Sequence, residues 1–226
     1  VNPSRQGRGS PETLCPSGPG RGRKKYSSLL PGRRNLETFC QSGPGRGKGK
    51  NKNSEGGKKI AKFLISSGHK KISYIAGWEG ASTQRDREAG FVSILNDAGL
   101  SLHSRKVGNF VLEESREATR SMFLKNPPEA VFVANDHMAF AVMDTLRYEL
   151  GLKIPDDVSV VGYDDVPAAS WPSYLLTTVQ QPVNIMVRET VEILIEKIEN
   201  PEARPQKIKV DGPLILRKSA KIDKGH

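Results

Sequence analysis

The chain has 226 residues, of which 36% are apolar and 27% charged, and a net charge of +10. That length allows one or two domains, while two cysteines and no Cys/His cluster at zinc-ligand spacing exclude a disulfide scaffold and lead us to expect neither metal nor cofactor. No run approaches the ~18 apolar residues of a membrane span, and no apolar stretch of ~7–15 residues comes after the early arginines, so a membrane protein and a secreted one are both disfavoured and a reducing cytoplasm is expected.

The charge is unevenly placed. Residues 1–53 hold 12 Lys and Arg against 2 acids, Glu12 and Glu37, so the whole excess of +10 sits there, and residues 54–226 carry 23 of each sign. With 10 Gly, 6 Pro and only 9 apolar residues, the first 53 residues cannot bury enough surface to offset chain entropy, and a disordered tail is expected. Within it, PETLCPSGPGRG (11–22) returns as LETFCQSGPGRG (36–47) with a period of 25, placing Cys15 and Cys40 at equivalent positions. Two readings stand: a nucleic-acid-binding arm whose Arg and Lys neutralise phosphates, or a solvated tail that is foreign to the rest of the chain.

Beyond residue 53 helices and strands alternate. Ile60, Phe63 and Leu64 recur at i, i+3, i+4 before Gly68, which predicts a helix to about Ser67. KISYIA (71–76) reads as a strand closed by Gly77, and a helix from about Thr83 carries Phe91, Ile94, Leu95 and Ala98 on one face. A strand over 106–110, a helix over 113–124 and the break at Pro127-Pro128 come next. AVFVA (130–134) is a continuous apolar run, as in a strand covered on both faces. A helix over 138–150, a second buried strand VSVVG (158–162), an extended 176–179, a long helix over 183–198, and strands over 207–210 and 214–216 complete the order. The pattern is that of an α/β fold, doubly wound, with a mostly parallel sheet and helices on both faces. Three segments are expected: the basic tail 1–53, an α/β lobe 54–222, and a C-terminal tail 223–226.

Sheets of this kind bind ligands beyond the carboxyl ends of their strands. The residues placed there are Trp78, Phe110, Asn135 and Asp164, with Arg87 in the first turns of the helix after Trp78. Aromatic plates with carboxylate, amide and guanidinium groups suit a small polar ligand such as a sugar or a purine. Each also has a local alternative: Arg87 could pair with Asp86 or Glu88, Asn135 could cap the next helix, Asp164 could cap a turn, and Trp78 and Phe110 could be core.

Five ordered blocks, GHKKISYIAG (68–77), REAGF (87–91), ANDHMA (134–139), VSVVGYDD (158–165) and LTTV (176–179), resemble the LacI/GalR family of bacterial transcriptional repressors. The resemblance implies the C-terminal lobe of a periplasmic-binding-protein-like effector domain. It implies effector contacts at Arg87, Phe110, Asn135 and Asp164. It also implies a dimer surface at the helix from Met138 and the segment before LTTV, with Met138, Val142, Trp171, Tyr174 and Leu175 as its candidate residues. It implies too that the helix over 183–198 is one that crosses back to the other lobe.

The family's helix-turn-helix and hinge helix have no counterpart in this sequence, nor does its N-terminal lobe with an I-G-x-x-x-P strand. The expected function is therefore the effector-sensing portion of a LacI/GalR-type regulator. Its partners would be a sugar or purine-like effector, a second copy in the full-length protein, and operator DNA only through a helix-turn-helix this chain lacks. The alternatives are a transport-type solute-binding module or a non-functional fragment. An enzyme is not expected, because no nucleophile or Gly-rich phosphate loop accompanies Asp136-His137.

Overall fold

The computed structural model describes residues 52–206 and 211–222, which belong to the unit Lys48–His226. The expected tail as far as residue 51, the strand over 207–210 and the C-terminal tail 223–226 lie outside the described residues.

Thirteen elements run along the described residues in the alternating order the periodicity predicts. They are α1 (Lys52–Ser66), β1 (Ile72–Ala76), α2 (Ser82–Asp97), β2 (Arg105–Val107), α3 (Leu112–Phe123), β3 (Ala130–Val133), α4 (Asp136–Asp144), a π-helical turn (Thr145–Glu149), β4 (Ser159–Asp164), a 3-10 turn (Pro167–Ser170), β5 (Thr177–Gln180), α5 (Val183–Glu199) and β6 (Leu214–Ile215). The sheet order is β2-β1-β3-β4-β5-β6. The first five strands are parallel, and β6 runs antiparallel along β5. Right-handed crossovers place α2 on one face and α3 and α4 on the other, and α1 packs against α2 on its face. The winding reverses between β1 and β3, so a crevice opens beyond their carboxyl ends.

The apolar runs in β1 and β3 are buried at every position, because helices cover both faces of the sheet there. Between α2 and the sheet, Tyr74, Phe91 and Phe132 form a trio with ring centroids 4.9–6.0 Å apart. The Tyr74 hydroxyl, buried with its ring, donates to Gln84 Oε1 at 2.9 Å. Helices α1 and α2 meet backbone to backbone, which two glycines allow. A Cβ on Gly57 would stand 2.0 Å from the Arg87 carbonyl oxygen, and one on Gly90 would stand 2.0 Å from that of Ser54. The strand-end residue Arg87 is thereby carried on a helix seated directly on α1.

Three expectations need correction. The strand expected over 106–110 stops at Val107, because Asn109 and Phe110 take φ of 51° and 62° and leave extended geometry. The helix expected over 138–150 is α-helical only to Asp144 and closes with the π-helical turn. Met138 and Val142, expected on a dimer surface, are both 0% exposed and belong to the core of their own chain. The outward face of α4 carries His137 and Phe140 instead. Both stripes are apolar enough to be read either way, and only the seating of α4 on the sheet separates them.

Candidate functional site

The crevice is lined by the residues immediately after each parallel strand. Strand β3 leads into Ala134, whose carbonyl oxygen accepts from Arg87 Nη1 at 2.7 Å. Strand β4 ends at Asp164, whose Oδ1 lies 3.3 Å from Arg87 Nη2. The guanidinium also lies over the Tyr163 ring, with its carbon 3.7 Å from the ring centroid, and Nε donates to Asn53 Oδ1 at 3.4 Å. Arg87 is 5% exposed. It is thus a buried cation with four partners. Of the acids beside it in sequence, Glu88 pairs with Arg105. The Tyr163 hydroxyl is held above its usual pKa, chiefly by burial, and Arg87 opposes that. Its ring fits beneath α1 because residue 56 is glycine, where a Cβ would stand 2.3 Å from the hydroxyl oxygen.

Asp164 and Asp165 have φ of 124° and 56°. Non-glycine residues hold such angles only where the surroundings over-determine them. Gln181 does this on one side: its N–H donates to the Asp164 carbonyl oxygen at 3.0 Å and its Nε2 to Asp164 Oδ1 at 2.9 Å. Arg217 pairs with Asp165 Oδ1 at 2.7 Å, and Gln180 donates to Asp165 Oδ2 at 2.8 Å. The turn therefore presents one carboxylate, Asp164, partly open and bound to a buried cation, while its neighbour is committed to the scaffold.

Asn135 is the N-cap of α4, and its Oδ1 accepts from the Met138 N–H at 3.0 Å. The cap leaves Nδ2 as the group that can turn toward a ligand. Trp78, 60% exposed, packs its ring against Gly80, and Phe110, 38% exposed, lays its ring over Gly77 at the end of β1. Arg85 braces the loop after Trp78 by donating to the carbonyls of Glu79 and Gly80 at 3.1 and 3.0 Å. Of the five residues singled out from sequence, Trp78, Phe110, Asn135 and Asp164 stand at the carboxyl ends of β1 to β4, and Arg87 reaches that edge from α2. Of these, Arg87 and Asp164 are joined by a direct ion pair. A hollow of about 1040 Å³ runs from Asp164 and Gln181 along α5, and a smaller one of about 200 Å³ lies between Asn53, Thr83 and Tyr163. Among the described residues, no group of three or more His, Cys, Asp or Glu could hold a metal, and no helix is long and apolar enough to cross a membrane.

Sequence reasoning missed Gln181, Tyr163 and Asn53; it places Asp136 after β3 at the strand edge but does not assign it a buried role. Gln181 was within reach: it comes directly after β5 as Asp164 closes β4, and the strand-end rule applies to β5 as much as to the strands before it. Asn53 precedes the expected lobe boundary, yet it sits in the first turn of α1.

A family model for the periplasmic binding protein-like domain matches residues 61–220. The HTH-type transcriptional repressor PurR of Photobacterium profundum is 34% identical over 170 residues, 74% of this chain and 51% of that protein. The probable HTH-type transcriptional repressor ExuR of Bacillus subtilis is 32% identical over 174 residues, 76% of this chain and 52% of that protein. The chain therefore spans about half the length of the curated relatives it matches. Among solved structures, the transcriptional regulator CelR in complex with cellobiose superposes with a TM-score of 0.71 at 31% identity, over 75% of this chain and 52% of that one. The lac repressor dimer bound to operator and the anti-inducer ONPF superposes with a TM-score of 0.69 at 27% identity, over 74% of this chain and 58% of that one.

Proposed function

The chain belongs to the periplasmic binding protein-like family, in its LacI/GalR repressor branch, and on that premise we propose that residues 54–222 are the effector-sensing portion of a cytoplasmic transcriptional regulator. The effector is a small polar molecule, a sugar or a nucleoside-like compound. The observation that carries this is the Arg87–Asp164 pair, a buried guanidinium presenting a half-open carboxylate at the strand ends beside Asn135. Asp164 and Arg87 hold ligand hydroxyls or an acid, Asn135 donates through Nδ2, and Trp78 and Phe110 supply stacking faces. The CelR structure, a cellobiose complex, supports a sugar.

A second lobe closes over the crevice in this reading, and ligand binding shifts the closure equilibrium that sets operator affinity. In this reading operator contact is the work of a DNA-binding domain outside the described residues. Helix α5 supports the two-lobed arrangement: Val183, Val187, Val191, Leu194, Ile195 and Ile198 are each 46–78% exposed along it, and α5 has no buried residue. An apolar helix so exposed is a surface awaiting a partner, here the second lobe.

This chain alone offers half of the cleft. Calorimetry with cellobiose and with adenosine is expected to show a dissociation constant of roughly millimolar, since each buried hydrogen bond to a charge that closure would add is worth ~1.5–3 kcal/mol. Asp164→Asn keeps the shape and removes the charge, and is expected to abolish the heat. Micromolar binding that survives both Asp164→Asn and Arg87→Lys would place the site elsewhere.

Copies of the chain meet, in the same proposal, through the outward face of α4 and the loop before β5. Trp171 in that loop is 57% exposed, Tyr148 in the π-helical turn after α4 is 80% exposed, and the Tyr174 ring packs on Phe140 with centroids 4.3 Å apart. Leu175 is half-buried and lends its carbonyl to the N–H groups of Lys218 and Ser219, so it supports the loop from within. Light scattering is expected to give a dimer mass that falls with Trp171→Glu. A wild-type chain that is strictly monomeric at high concentration counts against this surface.

A further inference from the structure

We propose that Asp136 is the positioning residue of this site: it fixes the place of the Asp164 carboxylate by tying the chain just beyond it, and the neighbouring strand β5, to the start of α4. The proposal rests on reading Arg87 and Asp164 as ligand contacts, and it assigns a role to a side chain that faces the interior. Asp136 opens α4 and is 0% exposed. Its Oδ2 accepts from the N–H of Val166, two residues beyond Asp164, at 3.0 Å. Its Oδ1 accepts from Thr178 Oγ1 at 2.7 Å. Thr178 is in register with Gly162, two residues before Asp164. One carboxylate therefore ties the start of α4 to β5 and to the exit of β4.

The clamp answers a need that the backbone creates. Asp164 and Asp165 both sit at positive φ, and a turn of that kind relaxes unless contacts hold it from several directions. Gln181 holds it from β5's end, and Arg217 and Gln180 hold Asp165. The Val166 N–H is a further tie, and Asp136 takes it. The fit is close: a Cβ on Gly162 would stand 2.3 Å from Asp136 Oδ1, which accounts for glycine ahead of Tyr163-Asp164-Asp165. Two donors converge on residue 136, so its side chain must satisfy both. Aspartate does so with two oxygens. Asparagine also can, with Oδ1 accepting from Val166 and Nδ2 donating to a Thr178 hydroxyl that turns to accept. Alanine satisfies neither.

The test is the full chain with Asp136→Ala, Asp136→Asn and Thr178→Val, followed by NMR of the Arg87 Nε–H and the Asp164 carboxyl carbon, and by cellobiose titration. Asp136→Ala is expected to move both signals and to weaken cellobiose binding by about tenfold or more, since small misplacements of a polar contact carry losses of that order. Asp136→Asn is expected to restore both signals and the affinity, which a role through charge would not predict, while Thr178→Val leaves the Asp136 volume in place and so separates its hydrogen bonds from space filling. Should Asp136→Ala fail to fold, Thr178→Val removes one tie only and is expected to move the same two signals less. Unchanged Arg87 and Asp164 signals in folded Asp136→Ala or Thr178→Val would overturn the proposal. Signals that move in a chain that never binds cellobiose or adenosine would leave the clamp standing and remove the ligand reading. Binding that depends on Asp164 and ignores Asp136→Ala would do the reverse.

Discussion

Replacing Arg87 with alanine is expected to cost about 3 kcal/mol of stability, at the low end of the ~3–5 kcal/mol for breaking a buried ion pair because the Asp164 side chain is 25% exposed. The loss has three sources. The Ala134 carbonyl oxygen beyond β3 loses its 2.7 Å donor. Asp164 loses its cation while its backbone remains at φ 124°. The Tyr163 ring loses the guanidinium stacked on it. For a domain of this size the melting temperature is expected to fall by roughly 6–12 °C, at ~2–4 °C per kcal/mol. Arg105 provides the comparison. It too pairs with acids, Glu88 and Glu79, but its side chain is 34% exposed, and Arg105→Ala is expected to cost no more than about 1 kcal/mol. Thermal melts of the two variants separate the effect of burial from the effect of charge. Equal losses would mean that the strand-end pair is an ordinary surface salt bridge.

Asp136→Asn is expected to make stability less dependent on pH and to leave the variant the more stable protein at neutrality. Burial pushes the Asp136 carboxyl up to about 6 from an ordinary 3.8, and Asp164 and Asp165 push the same way, against the hydrogen bonds from Thr178 and Val166. The folded pKa is thus the higher one. Below pH ~4 both states are protonated and the group contributes nothing. As pH rises from ~4 to ~6 the unfolded chain ionises first, and the folded state loses ground. Above ~6 both are ionised and the deficit is constant. A gap of about 2 pH units corresponds to about 3 kcal/mol at 1.36 kcal/mol per unit. Denaturant unfolding at pH 4, 5, 6 and 7 is expected to show Asp136→Asn gaining that amount on the wild type across the window. A constant difference from pH 4 to 7 would show that Asp136 ionises at its ordinary pKa in the fold. At neutral pH the aspartate costs stability, as a residue kept for the placement of its neighbours can.

The strand-end residues were legible because the pattern that marks them is local. A continuous apolar run such as residues 130–134 needs a sheet covered on both faces, and the residues directly after such a run must lie at its carboxyl edge. Asp136 was not legible in the same way. An acid just inside a helix reads as a partner of the helix dipole, and nothing nearby in sequence announces that β5 and the 164–166 turn close over it. Met138 and Val142 show the same limit. Their spacing marks a helical face, while the choice between interior and partner surface depends on which side of α4 meets the sheet.

The sequence by itself determined the order and type of the elements, the parallel winding and which residues lie at the carboxyl edge of the sheet. These arise from side-chain periodicity and from the stereochemistry of crossovers, which act over a few residues at a time. The tertiary structure decided the pairings. Arg87 stands between Asp86 and Glu88 in sequence, yet its guanidinium reaches the Asp164 carboxylate, 77 residues away. The reason is physical: a guanidinium carried into the crevice by the Gly57 and Gly90 contacts is cut off from water, and it is satisfied by the oxygens that β3, β4 and α1 bring to the same point.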